Sequence, residues 1–443
     1  MKKAIFTLVA LPLTALIGLA QTWNYVGNPG FSDALAEHQS IAIDNGTPYV
    51  AFKDMNQGGN TTVMYFDGDN WQNLGPAGFS PGEADYQSLV IDNGVPYVAF
   101  RDGGNLFRTT VMRYMNNAWE LVGEAGFSAG EVLYHSLAVE NGVPYVAYQD
   151  NSNAFKCTVM TYDGQSWSPV GGTEGISPDR ASDESLIVVN GVPYVAFVDW
   201  DVDRKASVMT YNGNQWVYVG NPGFSTGNIE RPSLAMNNGS LYLAYSDGPT
   251  NFKATVMTFD GNNWNNVGPS GFTADGAFFT SLAFHADDPY MAFRDMSNDF
   301  KTAVMKYDGN NWSYLGTPGF SDGDAINQEL AFSGSTPYVI FRDEAHGSRT
   351  SVMRYEIPNA IEIARPDLEV QIQPNPATNK LNWQLPPGSR LKELIIYNVH
   401  GQRVQMDKRP GNELDVSQLI SGLYFLQLLT EDGDLIHRSL IIQ

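Results

Sequence analysis

The sequence predicts an all-β chain: a closed seven-bladed β-propeller followed by a small β-sandwich. Three observations carry this. The dipeptide Val-Met recurs seven times, from Val63-Met64 to Val352-Met353, at a step of 48 residues except once, where it is 49. Each unit reads as four short strands, the content of one propeller blade. A spare fourth strand stands at the beginning of the chain, and the last unit lacks one.

The elements follow in order. Met1-Lys2-Lys3 precedes an apolar run from Ala4 to about Ala20, with small residues at Gly18 and Ala20. This pattern predicts a secretory signal peptide over residues 1–20. No Cys follows the expected cut, so a lipid anchor is not expected, and no other stretch has the length of a membrane span. The spare strand Trp23-Asn24-Tyr25-Val26-Gly27 lies in register with Trp71, Trp119, Trp167, Trp216, Trp264 and Trp312. It should complete the seventh blade, removing the exposed edges of the ring.

A representative unit starts with the strand Ser88–Ile91. The turn Asp92-Asn93-Gly94 suits a tight hairpin. Pro96–Phe100 follows, with Pro where a missing donor is tolerated. Then come Thr110–Tyr114 and Trp119–Gly123. The first-to-second and third-to-fourth connections are short and share one face. The longer second-to-third and blade-to-blade connections share the other, where binding is expected. The propeller is assigned residues 21–357, a Pro- and charge-bearing linker 358–370, and the sandwich 371–443.

Cys157 is the only cysteine, so packing alone must hold an exported protein together. It replaces Thr61 and Thr109 of neighbouring units and reads as a buried filler. The net charge is −22, and residues 21–366 carry 17 Lys and Arg against 39 Asp and Glu. Such a surface repels phosphate backbones, which argues against a nucleic-acid partner.

The tail contains Gln373-Pro374-Asn375-Pro376-Ala377, the run Tyr397-Asn398-Val399-His400-Gly401-Gln402-Arg403-Val404, and Ser421-Gly422-Leu423-Tyr424-Phe425. Alternating strands and Gly turns predict a small sandwich. These motifs together resemble the type A C-terminal sorting domain of the bacterial type IX secretion system. The resemblance implies a member of the Bacteroidota, Sec export, and passage across the outer membrane through the type IX machinery. It leaves open whether the protein stays on the surface or is released. The turn Asp163-Gly164-Gln165-Ser166-Trp167 resembles the Asp-box of sialidases, one residue short between Asp and Gly. That resemblance implies a structural turn and lends no catalytic residue.

An Asp ends the second strand of every unit (Asp54, Asp102, Asp150, Asp199, Asp247, Asp295, Asp343). Six positions later stands a base in all units but the first: Arg108, Lys156, Lys205, Lys253, Lys301, Arg349. The expectation is an ion pair across each hairpin. A Ca²⁺ ring built from these carboxylates is the weaker reading, and no cofactor is otherwise implied. The Gly-Phe-Ser aromatics (Phe31, Phe79, Phe127, Phe224, Phe272, Phe320, with Ile176 in one unit) are expected to plug the space between blades.

Function is expected where the repeats differ. Just before the first strand, at the channel mouth, stand His38, Tyr86, Tyr134, Asp183, Arg231, Phe279 and Asn327, with Gln39, Gln87, His135, Glu184 and Gln328 beside them. Glu329 replaces the Ser of every other unit, and Trp200 has no counterpart elsewhere. Aromatics amid amides and carboxylates suit sugars, whose C–H faces lie on rings while polar groups take hydroxyls. There is no G-x-S-x-G, H-E-x-x-H or phosphate loop. His38, His135, His285 and His346 lie in separate repeats, and no metal site is assigned.

The reading is therefore an exported, non-catalytic binding propeller for a glycan or other surface macromolecule. Its expected ligand residues are His38, Tyr86, Tyr134, His135, Asp183, Glu184, Trp200, Arg231, Phe279 and Glu329. One alternative is a carbohydrate-active hydrolase or lyase using Asp183, Glu184 or Glu329 on the same face. Another is a structural surface coat.

Overall fold

The computed structural model describes residues 22–356, 371–385, 390–398, 403–408, 411, 413–430 and 435–442. The expected signal peptide and the linker at 358–370 lie outside the described residues. The chain divides into two compact units, one of them Gln21–Glu356.

That unit is seven four-stranded antiparallel sheets. After β1 (Thr22–Tyr25), the first blade comprises β2 (Ala36–Asp44), β3 (Thr47–Asp54), β4 (Asn60–Phe66) and β5 (Trp71–Asn73), paired in chain order. The seventh blade pairs β1 with Arg349–Glu356, Trp23 opposite Tyr355. The N-terminal strand thus closes the ring, as the spare strand predicted.

One device joins the blades. The fourth-strand Trp of each blade donates its indole N–H to a carbonyl just past the end of the preceding blade's fourth strand. Trp71 reaches Val26 at 2.7 Å, and Trp23 reaches Leu315 across the closure at 2.8 Å. The Gly-Phe-Ser rings lie flat on these indoles, as in Phe79–Trp119 (4.1 Å between centroids, 4°) and Phe320–Trp23 (4.2 Å, 9°). Each stack adds roughly 0.5–1.5 kcal/mol beyond the area it buries. The Val-Gly of the repeat is explained here: Gly75 has φ of 80°, and a Cβ on it would lie 3.2 Å from Trp119 and Tyr114. The inter-blade plug expected of the Phe residues is what the structure contains.

The Asp-box-like turns also behave as expected. Asp163 Oδ1 accepts from the backbone N–H of Gln165 and Ser166, both at 2.8 Å. The hairpin ion pairs are not formed. Asp102 lies opposite Arg108 in register, but its carboxylate turns away from the guanidinium. It accepts from Gly104 N at 2.9 Å, capping a 3₁₀ turn, and from Thr110 Oγ1 at 2.7 Å. Six of the seven carboxylates take such a hydroxyl eight residues on. Among the described residues none of the seven pairs with a Lys or Arg. A turn N–H two residues away is nearer and already oriented, so capping displaces a flexible cross-strand cation.

The C-terminal unit holds a three-stranded sheet (Gln371–Gln373, Lys380–Gln384, Glu413–Asp415) and a four-stranded one. The latter pairs Arg403–Lys408, Leu391–Asn398, Gly422–Thr430 and Leu435–Ile442 in that order. Leu381, Trp383, Leu394, Ile396, Leu426, Leu428 and Leu440 form one core from both sheets, as a sandwich requires.

Candidate functional site

The first strand of each blade is innermost and packs on the first strands of its neighbours. Each carries a β-bulge: the register shifts between Glu37 and Ser40 in the first blade and at the matching place in the other six. The bulged residues are His38, Tyr86, Tyr134, Asp183, Arg231, Phe279 and Asn327, all with φ between 51° and 58°. The sequence placed these residues before the strand; they lie inside it, on the bulge. The left-handed conformation costs an ordinary side chain energy, and such strain concentrates where a side chain must be aimed.

The bulges sit at the long-loop end of the channel and bring the variable side chains together. The rings of His38 and Tyr86 are 4.6 Å apart, and those of Tyr86 and Tyr134 5.5 Å. Arg231 Nε lies 3.5 Å from Asp183 Oδ1, and its guanidinium is 4.9 Å from the Phe279 ring. Asn327 Nδ2 donates to Gln39 Oε1 at 3.5 Å, tying the last blade to the first. The mouth is thus an aromatic arc on blades one to three facing an ion pair on blades four and five. Burial lowers the His38 pKa, against the pull of Asp85 and Glu37, and the charges of Lys53 and Arg231 lower it further. Burial raises Tyr86 and Tyr134, so both remain hydroxyl donors at neutral pH. Burial also raises Asp183, while Arg231 opposes that shift. The set offers ring faces, two phenols, a neutral imidazole, a carboxylate and a guanidinium.

The remaining predicted residues lie elsewhere. His135 and Glu184 follow the bulge and turn into the junction between blades. His135 Nε2 lies 3.1 Å from Thr109 Oγ1 of the preceding blade, and burial lowers its pKa to about 3. Gln87 and Gln328 make the equivalent bonds to Thr61 and Thr302. Glu184 meets Cys157 where its neighbours meet Thr. Neither carboxyl oxygen has a partner among the described residues, and burial raises its pKa well above the usual range. Trp200 stands on the 3₁₀ turn after the second strand of blade four and is 39% exposed. The guanidinium groups of Arg180 and Arg204 lie 4.3 and 5.2 Å from its ring, so it is not an open platform.

Glu329 lies deeper in the channel wall. In six junctions a first-strand Ser accepts the backbone N–H of the next blade's Leu, as Ser40 does from Leu89 at 3.0 Å. At the seventh, Glu329 Oε2 accepts from Ile41 N at 3.0 Å. The sequence signalled the substitution, but only the closure explains it. The long-loop face also carries exposed apolar residues that the sequence did not single out: Leu35, Met55, Leu106, Phe107, Phe155 and Met296. They occupy loop positions that vary between units. Among the described residues, no group of three or more His, Cys, Asp or Glu is placed to hold a metal ion.

Residues 371–443 match the family of secretion system C-terminal sorting domains. The C-terminal unit is a type IX sorting domain. A chain carrying it is exported across the outer membrane, to the cell surface or beyond. No helix among the described residues is long and apolar enough to cross a membrane. No curated protein matches the chain in sequence. Among solved structures it is similar to PorZ, a surface component of the type IX secretion system of Porphyromonas gingivalis. That match has 12% identity and a TM-score of 0.48, over 91% of this chain and 59% of PorZ. It is similar to the PL25 ulvan lyase, a polysaccharide lyase (13%, 0.49, over 75% and 94%). It is also similar to the fucose-specific lectin of Aleuria aurantia (14%, 0.44, over 66% and 98%).

Proposed function

We propose that the propeller is a non-catalytic glycan-binding module, displayed or released by the sorting domain, that holds its ligand at the channel mouth on the long-loop face. The observation that carries this is the ring of seven bulges. The fold repeats one strained conformation seven times and places six different side-chain types on it, with only Tyr used twice. A purely structural ring has no need of that variety at positions it also strains.

Chemistry supports a sugar. The rings of His38, Tyr86 and Tyr134 form a continuous arc. Such an arc covers C–H faces, while Asp183 and Arg231 opposite it, and Asn327 beside its blade-one end, take hydroxyls. The non-catalytic reading is favoured because two of the three carboxylates considered for hydrolysis are not presented at the mouth. Glu184 is enclosed in a blade junction, and Glu329 holds Ile41.

Glycan-array binding by the full exported protein is the test. Specific binding is expected, and Tyr86→Ala with Tyr134→Ala should weaken it by about tenfold or more, the loss of one to two ring contacts. Unchanged binding in that variant would place the ligand elsewhere. Release of shortened products from a polysaccharide would convert the reading to that of an enzyme.

A further inference from the structure

The junction where blade seven meets blade one differs from the other six at both ends. At the channel it carries Glu329 in place of Ser. On the short-turn face, opposite the mouth, it opens into a cleft of about 430 Å³ lined by Pro48, Tyr49, Tyr65, Phe66, Tyr338 and Arg354, among others. That volume falls within the roughly 300–1,000 Å³ of small-molecule sites.

The repeat shows what is special here. Tyr49 has a Tyr counterpart in every blade, but Tyr65 does not. Its equivalents are Arg113, Thr161, Thr210, Thr258, Lys306 and Arg354. In blades three to five the Thr hydroxyl donates back to its own second strand, as Thr210 Oγ1 does to Pro193 O at 2.9 Å. In blade one the phenol lies against Tyr49 instead, with ring centroids 5.9 Å apart and planes inclined by 30°. Among the described residues neither hydroxyl takes part in a hydrogen bond. Across the cleft, Arg354 bonds Tyr338 and donates its Nε to Glu356, which holds the guanidinium on the blade-seven wall. The result is two adjacent ring faces with unengaged phenols, opposite a fixed cation and a third phenol.

We propose that this cleft is a second carbohydrate site, taking one pyranoside ring against Tyr65 and Tyr49. Ring faces cover the C–H side of a pyranose, and the phenols and guanidinium meet its hydroxyls. A wholly apolar ligand would leave those polar groups unpaired. The site is independent of the channel mouth and lies on the opposite face.

The test is saturation-transfer NMR on the full-length exported protein with a panel of methyl pyranosides (gluco, galacto and manno, both anomers). Three proteins are compared: wild type, Tyr65→Thr, and Tyr86→Ala with Tyr134→Ala. Tyr65→Thr installs the residue that blades three to five already carry, so its fold is preserved. Transfer to at least one pyranoside is expected, reduced about tenfold in Tyr65→Thr and unchanged in the mouth variant. No transfer with any pyranoside, or equal transfer in Tyr65→Thr, overturns the proposal. Transfer lost only in the mouth variant also overturns it, while supporting the channel-mouth reading.

Discussion

Glu329 shows how much one side chain can alter in a repeat. Six junctions use a neutral Ser to accept a backbone N–H, and the seventh uses a carboxyl half-buried in the channel wall. Burial raises its pKa to about 7, against the pull of Ile41 N–H and the Ser40 hydroxyl. No charged side chain is among the groups that shift it. The folded pKa lies above the unfolded one, so the folded state binds the extra proton. Its stabilising effect is complete below about pH 4.5 and is lost as pH rises through about 7. Glu329→Gln keeps an acceptor for Ile41 and removes the titration. The melting temperature of the wild type should therefore fall from pH 5 to pH 8 more steeply than that of Glu329→Gln, with the variant more stable at pH 8. Parallel slopes would show that Glu329 does not titrate in this range. Glu184, Asp183, Asp199 and Asp247 are shifted in the same direction, so some slope should persist in Glu329→Gln. The position of Glu329 was readable as a departure from the repeat. Its role was not, because nothing in the repeat shows that the residue at this position accepts a backbone N–H from the next blade.

At the scale of single elements, the sequence was most informative about register and least about where polar side chains turn. It correctly aligned Asp102 with Arg108 across the hairpin. It missed the 3₁₀ turn between them, whose backbone N–H outcompetes the guanidinium. The two readings separate cleanly by mutation. Asp102 is fully buried and holds Gly104 N, Asn105 Nδ2 and Thr110 Oγ1. Asp102→Ala should cost roughly 2–4 kcal/mol, the sum of a lost cap and orphaned donors. Arg108→Ala should stay within about 0.5 kcal/mol, as for a surface substitution. Equal costs in urea denaturation would revive the ion pair. The bulge is the other element that sequence could not place. Its residues vary in type, so no glycine marked the left-handed backbone. Asn327, with φ of 58°, offers a measure of the strain. Asn327→Gly should leave stability unchanged or slightly higher. Asn327→Val should cost about 1–2 kcal/mol, since a β-branched residue fits that region poorly. If Val were tolerated as well as Gly, the bulge would not be a fixed feature of the mouth.

For the whole molecule, the number of blades and the closure were legible because both depend on repeat count and phase alone. The seam cleft was not, because it arises where segments more than 270 residues apart in the sequence, such as Tyr65 and Tyr338, face each other. The closure explains how an exported ring stands without a disulfide. Trp23 is 7% exposed and stacks on Phe320, and Val26 N donates to Val352 O at 2.8 Å. Removing residues 22–27 would strip the Arg349–Glu356 strand of its outer partner and uncover Phe320 and Met353. Losing the burial of Trp23 and Val26 alone removes several kcal/mol, a large part of the 5–15 kcal/mol that a typical domain has. Calorimetry should then show a melting temperature lower by about 10 °C or more, on the usual scaling of stability with midpoint. The same variant should self-associate, because an unpaired strand edge templates pairing with another chain. Gel filtration separates this from simple destabilisation. A variant that melts early but stays monomeric has another group covering the edge, whereas an unchanged melt would mean that the N-terminal strand is not what closes the ring.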